Sequence, residues 1–321
     1  MDGEYHAFLN VCAHRHCLLT DRPRGHSLAL RCQYHGWEYT REGRTARIPD
    51  AGCFKPFDRQ NARLLAFRTA TCGDLIFVSL APEGPSLADH LGAYYPTMAE
   101  SFGPPFRPVW QWRVGFPANW KVPVENTLEM YHIPCVHQKT FGEYAREEDV
   151  THLLGERHTT LHTREYYPRV TAVQNWMVRR LGGAITNIYT HHHVHPNFIY
   201  TGTDVMRMAT AFVPTSPTTT SQWVWLYALR GRRHGPLARL VAWVLRRVVV
   251  GVTRAILKED VPIFAQQQRG LNVSPHPGVL GTIEERLYAF HAYLRKECGN
   301  GAALPGQLPE RVGHPPTTGS Q

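Results

Sequence analysis

At 321 residues, 43% of them apolar and 19% charged, the chain is long enough for two domains with sizeable cores, and its composition excludes a disordered protein. A net charge of +9 permits an acidic partner, but the excess crowds between Arg230 and Lys258 without the basic and aromatic stripe of a nucleic-acid interface. Seven cysteines, an odd number with Cys53, Cys72, Cys135 and Cys298 scattered, exclude a disulfide-framed secreted scaffold and favour a reducing compartment.

The N-terminus, Met1 to His6, has no basic-then-apolar leader pattern. Leu237 to Leu257 is the most apolar stretch, but Arg239, Arg246, Arg247 and Arg254 interrupt it before it could span a bilayer. The expectation is a soluble, cytoplasmic protein whose basic face is solvated, with contact to a membrane surface as a minor reading.

In chain order, a short apolar strand, Ala7 to Val11, leads into Cys12-Ala13-His14-Arg15-His16-Cys17, and later comes Cys32-Gln33-Tyr34-His35-Gly36-Trp37. Each segment offers a thiolate and an imidazole. Two thiolates on one iron and two imidazoles on the other make a Rieske [2Fe-2S] centre. A structural zinc site uses the same donors but usually pairs Cys with Cys and His with His, whereas here each loop brings one of each. Trp37 to Thr40, Leu64 to Phe67 and Leu75 to Leu80 read as strands of a small antiparallel domain. Pro/Gly clusters at 81–85 and 103–108 bracket a segment with helical potential. The expected domains are 1–95, a linker 96–110, a second domain 111–300, and a disordered tail 301–321.

The second domain opens with a strand, Trp110 to Val114, and reaches Asn119 to His137, which concentrates Glu129, His132 and His137. Two imidazoles and one carboxylate on one face of a metal, with the other face open, let iron(II) take O2 and substrate together. Read as a helix, Glu129 and His132 share a face, while His137 lies about 140° from His132. Pro134 is the expected break that lets both imidazoles reach one metal, with the third ligand coming from elsewhere. Strands are predicted at Thr159 to Tyr166, Asn197 to Tyr200, Met206 to Val213 and Gln222 to Leu229, and helices at Gly235 to Gln268 and Thr282 to Lys296. The sum is an α+β domain. His191, His192, His193 and His195 lie on strand-like sequence whose neighbours alternate faces, which favours pocket lining or a satisfied polar strand over metal ligation.

Cys-x-His, Cys-x-x-His-Gly-Trp, Asn-Trp-Lys and Glu-x-Tyr-His-x4-His, in that order, resemble the signatures of the Rieske non-haem iron oxygenases, the aromatic ring-hydroxylating dioxygenase family, in their catalytic α subunits. The resemblance runs from about Phe8 to Leu271. It implies an N-terminal all-β Rieske domain and a C-terminal helix-grip (START-like) domain, a curved sheet wrapped on a long helix. By the same resemblance Cys12 and Cys32 hold one cluster iron, His14 and His35 the other, and Lys258 to Leu271 is the closing motif that makes Asp260 the third ligand of the mononuclear iron. Neighbours on a helix point about 100° apart, so adjacent Glu259 cannot face the metal as well.

The family assembles as a head-to-tail ring, usually a trimer. Glu129 is then placed to join an iron-ligand histidine to a cluster histidine, such as His35, of the adjacent chain. Glu129, where many members have Asp, resembles a subset that includes quaternary-ammonium enzymes. The activity implied is hydroxylation or oxidative demethylation of a small organic substrate with O2. With no Gly-x-Gly-x-x-Gly fingerprint in the chain, NAD(P)H is expected to contribute only indirectly, through a separate ferredoxin or reductase. The alternative is a redox domain fused to a helix-grip cavity that binds a ligand without turnover. Two departures stand out. Arg15-His16-Cys17 replaces the usual Arg-Gly, with His16 and Cys17 read as bystanders, and only eleven residues precede Cys12, so that either the start is late or the first domain is N-terminally shortened.

Overall fold

The computed structural model describes residues 4–58, 60–140, 149–164 and 168–299; the tail 301–321 expected to be disordered lies outside the described residues. The chain divides into two compact units, Met1–Phe102 and Gly103–Gln321.

In the first unit, strands β1 (Ala7–Phe8), β2 (Leu30–Arg31), β3 (Glu38–Tyr39), β4 (Thr45–Arg47), β5 (Ala66–Cys72) and β6 (Leu75–Ser79) form two antiparallel sheets, ordered β1-β5-β6 and β2-β3-β4. β5 and β6 form a hairpin whose turn needs Gly73 at φ +59°, and a Cβ there would lie 2.2 Å from the Phe102 carbonyl oxygen. Helix α1 (Leu87–Leu91) starts at a reciprocal cap between Ser86 and Asp89, and α2 (Tyr94–Ser101) follows directly. α2 buries Met98 within this unit, and the division between units falls after Phe102, inside the 96–110 stretch read as the linker.

The second unit is built on one seven-stranded antiparallel sheet. Its elements in chain order are β7 (Phe106–Phe116), α3 (Lys121–Leu128), α4 (Ile133–Val136), β8 (Val150–Leu154), β9 (His158–Arg164), α5 (Pro168–Leu181), β10 (Ile188–Val194), β11 (Phe198–Gly202), β12 (Met206–Ser216), β13 (Thr219–Leu229), α6 (Pro236–Leu271) and α7 (Glu285–Cys298). The strands are ordered β7-β13-β12-β11-β10-β9-β8, so β7 and β13, the first and last in sequence, lie side by side. The 36-residue α6 packs on β13 and β7, the arrangement expected of a helix-grip domain. Its buried positions, Ala238, Val241, Leu245, Val249, Thr253, Leu257, Asp260 and Phe264, recur every three or four residues, which is one face of a helix. Phe264 meets Phe116 of β7 at 5.1 Å between rings, inside a core with Val124, Leu128, Ile199, Phe212, Leu287 and Phe290. Burying a side chain of that size stabilises the fold by roughly 1.5–3 kcal/mol.

The helix containing Glu129 differs from expectation. It ends at Leu128, and Glu129 itself is extended, φ −127° and ψ 167°. Pro134 does not break a helix but begins one, lying in the first turn of α4, where its missing N–H costs nothing. Strand β9 stops at Arg164, and Tyr166 lies outside the described residues. α5 and β8 were not legible as elements.

Candidate metal centres

Two loops in the first unit repeat one backbone pattern. Cys12 N–H donates to the Cys17 carbonyl and His16 N–H back to Cys12, and likewise Cys32 N–H to Trp37 and Gly36 N–H to Cys32. The fourth position after each cysteine turn is left-handed: Gly36 has φ +70°, and its counterpart His16 has φ +59°. His16 thus occupies a place that suits glycine, at a strain of about 1–2 kcal/mol. The loops bring Cys12 and Cys32, both buried, into a core with Trp37, Tyr39, Ile48 and Leu64. His14 and His35 lie 4.7 Å apart between ring centres, and His14 stacks on Trp37.

The electrostatics sort the donors. Burial alone would raise the Cys32 pKa, but backbone N–H groups of Tyr34 and His35, with the Cys12 and Cys17 thiols, hydrogen-bond to it and lower it, favouring thiolate. Cys17 goes the other way: burial, then Cys32, raises its pKa and keeps it a thiol. Burial, followed by His35 and Arg15, lowers the pKa of His14 and keeps the ring neutral, as a metal ligand must be. The Tyr39 hydroxyl lies 3.1 Å from Cys12 Sγ, a contact with no clear counterpart in the sequence pattern. His14 Nδ1 is buried and has no hydrogen-bond partner within the protein, so the donor set leaves a lone pair that a cluster iron would satisfy. These residues fit a [2Fe-2S] group.

In the second unit, Asn119 anchors the start of α3. Its N–H donates to Gln268 Oε1 of α6 at 2.7 Å, and its amide donates to the Pro217 carbonyl at 2.7 Å. That clamp sets α3 and the following turn against α6. Ligand atoms of His132, His137 and Asp260 then lie within 4.8 Å of one another. Asp260 Oδ1 is 3.2 Å from His137 Nε2 and 4.0 Å from His132 Nε2. Two imidazoles and one carboxylate at these separations fit an iron(II) ion with open positions.

Each histidine is held from behind by a second carboxylate. Glu129 Oε1 contacts His132 Nδ1, and Glu129 Oε2 accepts the His132 backbone N–H at 3.0 Å. Glu259 Oε2 lies 2.9 Å from His137 Nδ1 and accepts from the Thr140 hydroxyl at 2.7 Å. With Nδ1 held by these carboxylates, both rings present Nε2 toward Asp260. Asn126 Nδ2 donates to Asp260 Oδ1 at 3.2 Å. Burial opposes charge on His137, but Asp260 and Glu259 outweigh it and raise its pKa, a sign that the pocket favours a cation. In the sequence Glu129 stands out beside His132, whereas Glu259 reads only as a rival to Asp260, and nothing marks Asn126 or Thr140.

The histidine-rich strand behaves as alternation predicts. His191 meets Arg286 and His193 packs against Phe290, while His192 stacks on Tyr200 at 4.2 Å and lies 3.0 Å from the Thr160 hydroxyl. Arg286, fully buried on α7, also donates to Thr159 and was not singled out. Among the described residues, His132, His137 and Asp260 are the group that meets ligand separations; the β10 histidines do not join one.

Thiol and imidazole loops in one unit, and two histidines with a carboxylate in the other, together define a protein built for a [2Fe-2S] cluster and a separate mononuclear iron. Residues 105–300 match the catalytic domain of the ring hydroxylating alpha subunit, and residues 1–58 match the Rieske [2Fe-2S] domain. The chain belongs to this family of Rieske-type alpha subunits. It is 30% identical to the anthranilate 1,2-dioxygenase large subunit of Acinetobacter baylyi over 50% of this chain and 35% of that protein. It is 31% identical to the glycine betaine monooxygenase oxygenase subunit of Pseudomonas aeruginosa over 47% of this chain and 35% of that protein. The chain thus spans about a third of these relatives' length. In fold it resembles the quaternary ammonium Rieske monooxygenase CntA, with a TM-score of 0.72 at 17% identity over 91% of this chain and 78% of that one. No helix among the described residues is long and apolar enough to cross a membrane.

Proposed function

We propose that the protein is a Rieske-type non-haem iron oxygenase, a mono- or dioxygenase that hydroxylates or oxidatively demethylates a small organic substrate. The observation that carries this reading is the convergence of His132, His137 and Asp260, with a carboxylate behind each imidazole. In this reading Cys12, His14, Cys32 and His35 hold the cluster, and His132, His137 and Asp260 hold iron. When bound, the cluster supplies electrons and the iron an open site for O2. The chain's own residues do the rest. Glu129 and Glu259 keep the Nδ1 protons in place, Asn126 fixes the Asp260 carboxylate, and α6 carries that carboxylate on its buried stripe.

Electrons come from a separate ferredoxin or reductase, so NAD(P)H acts only indirectly. The assembly is a cytoplasmic head-to-tail homotrimer. Quaternary ammonium compounds and aromatic acids lead a substrate screen, because the relatives named above act on betaine and anthranilate. Anaerobically purified protein should hold about three irons per chain, two in the cluster and one mononuclear. With a surrogate reductase it should take up O2 in response to substrate. His132→Ala, His137→Ala and Asp260→Ala should each abolish uptake and leave the reduced-cluster paramagnetic signal unchanged. A colourless, zinc-loaded protein, or Asp260→Ala with full activity, refutes the assignment.

A further inference from the structure

On the first half of α6, exposed apolar side chains and arginines share the surface away from the buried stripe. Leu240 is 56% exposed and Trp243 52%, flanked by Leu237, Val248 and Val252 at about half exposure. α5 packs against α6 and adds exposed Val170, Val173 and Trp176, spaced three apart and so on one helix face. Scattered exposed apolar residues need no explanation, but a contiguous face on two helices does.

The charges around it have one sign. Arg239, Arg246 and Arg247 stand among the α6 residues, the Arg247 guanidinium lying 4.0 Å over the Trp243 ring, and Arg179 and Arg180 close α5. From Pro168 to Lys258 the only acidic residue is Asp204, which is buried and accepts hydrogen bonds from Thr186 and Asn187. The basic surface continues at the start of α6 into a cavity of about 210 Å³ lined by Arg107, Arg230, Arg232 and His234, with no carboxylate in its wall. The loop bearing Arg232 and Arg233 is tied to α5, both backbone N–H groups donating to the Leu181 carbonyl. Pocket, α5 and the first half of α6 therefore form one surface.

We propose that this surface docks on an anionic membrane, with α5 and α6 lying in the headgroup plane. Amphipathic helices with Trp and Leu on the embedded side and arginines around them bind in this way. Arginine stems can cover apolar surface while their heads reach lipid phosphates. A two-fold contact with a second copy is a poorer occupant, because it would set these arginines against their own kind, and a head-to-tail contact would need an acidic patch elsewhere on the chain to meet them. From the sequence alone the basic stretch reads as a solvated face, and it is the apolar exposure between the arginines that alters the reading. The inference does not depend on the proposed activity.

Flotation of the purified full chain tests it, using phosphatidylcholine vesicles with and without roughly a third phosphatidylglycerol. The wild type should float with the anionic vesicles at low salt, stay down with phosphatidylcholine alone, and be released as salt shortens the electrostatic range. Arg239→Gln/Arg246→Gln/Arg247→Gln should lower partitioning on the order of a hundredfold. Leu240→Ser/Trp243→Ser should lower it as well, and both variants should keep the wild-type circular dichroism. Wild-type protein that fails to float with anionic vesicles overturns the proposal, as do variants that float like wild type. Absent flotation, an oligomer that dissociates in Leu240→Ser/Trp243→Ser would assign the face to contact between copies, and salt-sensitive capture of an acidic protein would assign it to that partner; either result overturns the proposal.

Discussion

Glu259 and Glu129 do the same job on opposite histidines, yet they are reached by different routes. Glu129 precedes His132 by three residues, whereas Glu259 meets His137 only because α6 lies against the α4 turn. Losing such a partner typically weakens a metal site 10- to 100-fold, since the ring is then free to turn or change tautomer. Glu259→Gln should therefore lower iron affinity by about that factor, measured by competition with a chelator, while cluster absorbance is unchanged. Thr140→Ala, which removes a hydroxyl bound to Glu259, should give a smaller loss in the same direction. Asp260, named from the sequence by resemblance to a family motif, falls on the three-four repeat of buried α6 positions where an apolar residue belongs, and an acid there calls for a partner.

Among the elements, strand β10 and His195 just past its end carry a cost that depends on pH. Burial lowers the pKa of His192 to about 3 and of His195 to about 4, from 6.5, and pushes His191 and His193 well below it. Above 6.5 these rings are neutral whether the chain is folded or not. Below it the unfolded chain takes up protons that the folded chain refuses, so stability falls with pH from 6.5 toward 4, by up to about 1.4 kcal/mol per unit per histidine. Thermal unfolding should show a melting temperature that is flat above pH 7.5 and drops steeply below 6.5. Neither ring nitrogen of His195 has a hydrogen-bond partner in the protein, and the ring packs on Phe290 and Tyr293. His195→Phe should therefore keep the fold and make the acid slope shallower.

The whole molecule keeps its two sets of donors in separate compact units, Met1–Phe102 and Gly103–Gln321, so each should fill or empty without the other. In the proposed trimer Glu129 serves two chains, holding its own His132 and receiving a cluster histidine from a neighbour. Glu129→Gln keeps the shape and removes the charge. Both centres should then still be loaded and reducible from outside, while cluster oxidation by O2 and substrate slows by at least about tenfold in single-turnover stopped flow, the order expected for a lost charge-assisted hydrogen bond. An unchanged rate, or a wild type that is active as a strict monomer, removes the bridging role.

The donors proposed here can be named from the sequence: Cys12, His14, Cys32, His35, His132 and His137 by their thiol and imidazole patterns, and Asp260 by the resemblance of Lys258 to Leu271 to a family motif, while α6, α7 and the strands after Met206 announce themselves by period. What surrounds those donors depends on packing. The break falls at Glu129 rather than Pro134, where Glu129 is extended and its carboxylate accepts the His132 N–H. The partners Glu259, Thr140 and Asn126 are ordinary polar residues until packing brings them to a ring nitrogen or a carboxylate. The apolar residues of α6 likewise read as core until the fold shows which half faces the sheet, because helical period reveals that a helix has faces but not which of them another element covers.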